Sequence, residues 1–112
     1  MTNYSRWPKM HGTMDLGEFR KSLSAREPPA GLGKLLQALW YEAHGDWDRA
    51  HKLAQSQKGK AAAAVHAYLH RKEGDYSNAD YWYERAGSVR PRGALEKEWE
   101  ALVIALSNEA EE

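Results

Sequence analysis

The segment HAYLHRKE, residues 66 to 73, holds the side chains best suited to chemistry: His66, His70 and Glu73. On a helix, where each residue turns by about 100°, these three positions fall within about a 60° arc. Two neutral imidazoles beside a carboxylate can hold a divalent metal, or can act as a base and the group that orients it. The spacing differs from the zinc-protease helix, in which a Glu directly follows the first His. Periodicity along this segment places Ala61, Ala64, Val65, Tyr68 and Leu69 inward and the histidines outward. The opposite arrangement, interior histidines hydrogen-bonded to neighbours such as Tyr83 or Asp80, is equally compatible with the sequence.

No other stretch carries a catalytic signature. There is no Ser-His-Asp order, calcium loop or glycine-rich phosphate loop, and GLGK at Gly31 lacks the phosphate-loop spacing and a preceding strand. The chain has no cysteine, which excludes disulfides, thiolate metal ligands and Cys nucleophiles. Sixteen basic and sixteen acidic residues cancel, so no global field draws it to nucleic acid or an anionic membrane. Arg90 and Arg92 around Pro91 are too few for a nucleic-acid site and read as a solvated loop. The lack of a long apolar run near the start predicts neither leader nor membrane span, and hence a cytoplasmic protein.

The 112 residues suit one domain, with an arm over residues 1–12 and an all-α body over 13–112. Trp7 predicts that the arm drapes over the body. Asp15 and Glu18 form a capping-box pattern ahead of Leu16, Phe19 and Leu23, a short first helix that must end before Pro28-Pro29. A second helix over Leu32–His44 carries a wide apolar stripe, and Gly45 follows as its stop. Asp46 opens a third helix that ends near QSQKGK; a fourth runs from about Ala61 to Glu73 and a fifth from about Tyr76 to Ala86. Leu95, Trp99, Leu102, Val103 and Leu106 mark the buried face of a sixth. No segment alternates with period two, so the reading is all-α with about six helices.

Shifting Gly45 onto Gly74, 29 positions later, aligns Asp46 with Asp75, Trp47 with Tyr76 and Ala50 with Ala79. It also aligns His44 with Glu73, which adds His44 to the candidate metal ligands. The predicted unit is a helical hairpin in which Gly stops one helix, Asp caps the next, the aromatic wedges between them and Ala permits close approach. Gly74, Asp75, Tyr76, Ala79, Tyr83, Ala86 and Pro91 resemble the second helix and closing proline of tetratricopeptide repeats. Ala38, Tyr41, Gly45, Asp46, Trp47 and Ala50 match less fully, because Ala54 stands at a large-residue position and no closing proline follows. The resemblance spans residues 32–91 and implies two tandem tetratricopeptide-like hairpins flanked by capping helices. It further implies a surface that binds a protein or peptide, or a second copy of the chain, with no cofactor.

Five Trp and six Tyr against one Phe supply rings suited to cores and interfaces alike. Tyr81, Trp82 and Tyr83 span about 200° of a helix, so one ring must face outward, and Tyr81 lies off the face of Tyr76, Ala79 and Ala86. Tyr81 and Arg85, with Trp40 and His51, are the candidate partner contacts. The expected function is a protein-interaction module; the alternative is a metal or small-molecule site at His66, His70 and Glu73, enzymatic in its strongest form.

Overall fold

Glycines with a left-handed backbone punctuate this chain, and the helices lie between them. A computed structural model describes residues 15–110, so the arm predicted over residues 1–12 lies outside the described residues. Six helices follow in order: α1 (Leu16–Ser22), α2 (Lys34–Ala43), α3 (Trp47–Gln55), α4 (Lys60–Lys72), α5 (Tyr76–Ala86) and α6 (Leu95–Ala110). Among the described residues there is no strand, and the architecture is all-α. The capping box forms as the spacing predicts, with Glu18 N–H donating to Asp15 Oδ1 at 2.8 Å and Asp15 N–H donating to Glu18 Oε1 at 3.2 Å.

The two turns predicted to repeat are nearly superposable in conformation. Gly45 has φ 84° and Gly74 φ 87°. Asp46 N–H donates to Tyr41 O and Asp75 N–H to His70 O, each at 2.9 Å, across the glycine that closes each helix. Asp46 and Asp75 then accept from the backbone N–H of Arg49 and Asn78, opening α3 and α5. The aromatic wedge is realised only once. Trp47 is half-buried and donates its indole N–H to Leu69 O at 2.8 Å, whereas Tyr76 is 51% exposed and lies beneath the Arg90 guanidinium. Pro91 is exposed and Ala86 half-buried, while Ala50, Ala79 and Tyr83 are buried as the repeat requires.

Hairpin α2–α3 packs against hairpin α4–α5 chiefly through α3 on α4. Helix α6 lies across α2 and α4, and α1 closes against α6. The main core joins Phe19, Leu36, Leu39, Trp40, Val65, Tyr68, Leu69, Trp99 and Val103. Trp40 is therefore not a surface contact, as the sequence suggests it to be. It is 1% exposed, because α6 packs on α2, and it donates its indole N–H to Ser22 Oγ at the end of α1 at 3.1 Å. Trp99 ties α6 down in the same manner, donating to Leu39 O at 3.2 Å.

An added Cβ would meet no atom at Gly45 or at Gly74, so the cost of a side chain there is backbone strain alone. Gly74→Ala should lower unfolding free energy by about 1–2 kcal/mol, with a similar loss for Gly45→Ala. Urea denaturation followed by circular dichroism checks this; an unchanged midpoint would refute the left-handed turn.

Candidate functional site

After Lys60, helix α4 runs through four alanines and becomes polar toward its end, and it is buried on nearly every side. Ala62, Ala63, Val65, His66, Ala67, Tyr68, Leu69 and His70 are all buried. The inward placement of Val65, Tyr68 and Leu69 holds, but the outward placement of the histidines does not: they are buried too, against α3 and α5 on the other side of the helix. His66 is 4% and His70 6% exposed. Neither bonds to Tyr83 or Asp80, which engage Glu98 and Arg90 instead.

The third member of the cluster is His51 on α3. One ring nitrogen from each of His51, His66 and His70 lies within 4.8 Å of the others, and His51 Nε2 is 2.8 Å from His66 Nε2. His51, grouped on sequence with the partner contacts, belongs to this buried cluster. His44, grouped with the metal ligands, does not; it is exposed at the end of α2, with its ring stacked on Trp40 at 4.0 Å. Glu73 stands behind the cluster, its Oε1 2.7 Å from His70 Nδ1. A carboxylate can only accept, so His70 donates to it from Nδ1. His70, Glu73 and Asp75 also lie within such a distance of one another, but Asp75 is committed to capping α5.

Two indoles hold the rings in place. His51 stacks on Trp47 with centroids 4.8 Å apart and planes 9° from parallel, and His66 stacks on Trp82 at 3.9 Å and 10°. The two stacks meet edge-on, His51 to His66, at 84°. Burial pushes the His66 imidazolium pKa down to about 4, with His51 and His70 adding to the shift. Burial and His70 likewise lower His51, against the opposing pull of Glu73 and Asp48. Both rings are consequently neutral near pH 7, the form that ligates metals.

Two further polar groups escape the search for chemistry in the sequence. The Glu42 carboxylate is 3% exposed; it pairs with Lys72 and accepts from Tyr68 Oη at 3.2 Å. The Glu98 carboxylate bonds Arg71 at 2.7 Å and Tyr83 Oη at 2.6 Å. Burial, followed by the neighbouring carboxylate, raises the pKa of both tyrosines, so they remain protonated donors. The missed signal is legible afterwards: Glu42 falls in register with Leu35 and Leu39, and Glu98 with Leu95 and Leu102, on otherwise apolar faces.

The comparisons with protein-family models, curated proteins and solved structures return no match to this chain.

The depressed pKa of His66 sets a sign for acid stability. The folded state holds this proton more weakly than the unfolded chain, whose value is near 6.5. The stabilisation is complete above that pH and is lost as pH falls toward about 4. The melting temperature of chelator-stripped protein should fall across this window, and less steeply in His66→Gln; a flat profile in the parent chain would contradict the buried neutral imidazole.

Proposed function

We propose that this chain is a small helical metal-binding protein in which His51, His66 and His70 hold one divalent transition-metal ion, zinc being the natural choice. The reading is carried by one observation: three imidazole nitrogens from two helices converge within 4.8 Å, with His66 and His70 buried and His51 half-buried. Imidazole suits zinc, copper, nickel and cobalt, and a three-ligand zinc site leaves a fourth position for a small ligand. Ligands about 2.0–2.1 Å from one ion lie roughly 3.3 Å apart, so the 2.8 Å between His51 Nε2 and His66 Nε2 requires only a small opening of the pair. Glu73 acts behind His70, fixing its tautomer and raising the basicity of Nε2.

An ion that binds only the folded chain raises its stability by mass action, by about 2.7 kcal/mol at a hundred times Kd. Zinc or cobalt added to chelator-stripped protein should raise the melting temperature, and cobalt should give a tetrahedral visible spectrum. His51→Ala should abolish both, and Glu73→Gln should weaken binding about 10–100-fold while the metal-free melt stays close to the parent's. No shift with any divalent ion, or a full shift in His51→Ala, would overturn the assignment.

A second reading is supported by the outer face of α5. Tyr81 is 53% exposed, and Arg85 lies over its ring at 5.6 Å and over Trp82 at 5.4 Å, the residue types that concentrate binding energy at protein interfaces. On this reading the hairpins form a tetratricopeptide-like scaffold that meets a peptide or a second copy through Tyr81 and Arg85. Sedimentation should then show mass rising with concentration and Tyr81→Ser suppressing the rise; a constant monomer mass would remove the self-association form of this reading.

A further inference from the structure

We propose that the cleft formed by the end of α3, the turn into α4 and the outer side of α5 binds a small oxyanion, a phosphate or a carboxylate. Formal charge over the whole chain is zero, yet its distribution here is one-sided. The cleft encloses about 590 Å³, within the usual range for small-molecule sites, and Lys58, Lys60 and Arg85 line it with no acidic residue. None of these three cations is within ion-pair distance of a carboxylate among the described residues, whereas Arg20, Arg49, Arg71, Lys72, Arg90 and Lys97 all are.

The remaining surfaces of the cleft fit the same ligand. His66 and Trp82, stacked face to face, form one wall of the cleft beside the cations. Ala62 and Ala63 contribute the start of α4, a helix with no side-chain cap and no acidic residue in its first turn. Its first amides therefore add positive potential on the side where the cations stand. Lys60 extends toward the end of α5, its Nζ 3.7 Å from where a Cβ on Gly87 would lie, and so spans the space between the two helices. Three cations from two sides of the cleft, Lys58 and Lys60 at the turn into α4 and Arg85 on α5, favour a ligand with more than one anionic oxygen, and the volume favours a small one.

This site is distinct from the metal centre, although His66 belongs to both. The test uses chelator-stripped, uniformly ¹⁵N-labelled protein in chloride buffer, titrated separately with inorganic phosphate and with malonate. Saturable shifts should be confined to the Trp82 indole N–H and the amides of residues 58–63, and should weaken as salt is raised. Lys58→Gln and Arg85→Gln, both exposed, should each lower affinity about tenfold without moving the melt. Saturation by either anion alone supports the proposal and assigns the ligand class. Absence of saturation by both at millimolar concentration overturns it, as does unchanged affinity in the double variant. Because no metal is present, the outcome is independent of the reading of the histidine cluster.

Discussion

A helix buried on nearly all sides must satisfy every polar side chain it carries, since a buried polar group without a partner costs about 1–3 kcal/mol. Helix α4 meets this constraint by spreading its polar groups over the helices around it. His66 bonds His51 on α3; Tyr68 and Lys72 reach Glu42 on α2; Arg71 bonds Glu98 on α6 and the Gly93 carbonyl beyond α5. His70 is completed locally by Glu73. The remaining contacts of α4 are apolar and tolerate sliding, but these bonds do not. They fix the rotation of α4 about its own axis and hence the direction in which its histidines point.

Close approach is what allows so many rings to share one small space. Ala50 and Ala54 on α3, Ala62, Ala63 and Ala67 on α4, and Ala79 on α5 are all buried, and with almost no side-chain bulk they bring the three axes together. The space saved is filled by flat rings at a higher level of the stack. Trp47 is pinned through its indole N–H to Leu69 O, and His51 lies parallel on it; Trp82 lies parallel on His66. A ring clamped on one face by an indole and bonded at its edge has few rotamers left. Little conformational freedom remains to be lost when a ligand is taken up, which is the physical content of a preorganised site.

Local chemistry made the helices legible before any coordinates. The Gly-Asp turns at Gly45 and Gly74, the capping box at Asp15 and Glu18, and the proline pair at Pro28 all act within a few residues, so a linear reading captures them. His66 and His70 were legible for the same reason, because i and i+4 are neighbours on any helix. His51 was not, because its approach depends on how α3 crosses α4, a relation between elements 15 residues apart in sequence. Aligning His44 with Glu73 failed for a related reason: the repeat preserves backbone turns but not environments, since α2 packs on α3, α4 and α6, whereas α4 lies between α3 and α5 as well as against α2 and α6. Glu42 and Glu98 show the converse error. A charge in register with leucines signals a buried ion pair, yet its partner can be named only once Lys72 and Arg71 are seen across the interface.

The departure from a regular repeat is also what shapes the open side of the molecule. Helix α3 ends at Gln55, and its nine residues are two fewer than the eleven of α5. The chain then returns through Ser56–Gly59, with Gly59 at φ 102°, directly to the start of α4. On the opposite side α6 covers α4 from Trp99 to Leu106 and is locked by the Glu98 carboxylate. Past the early end of α3 the returning turn sets Lys58 and Lys60 beside the first turn of α4. Ala62 and Ala63 are themselves buried, so the cleft opens beside them between the end of α3 and α5 and not over a bare helix face. The short α3 and its tight return thus place two lysines at the mouth of a cleft that has His66 and Trp82 in its wall and Arg85 of α5 across from them.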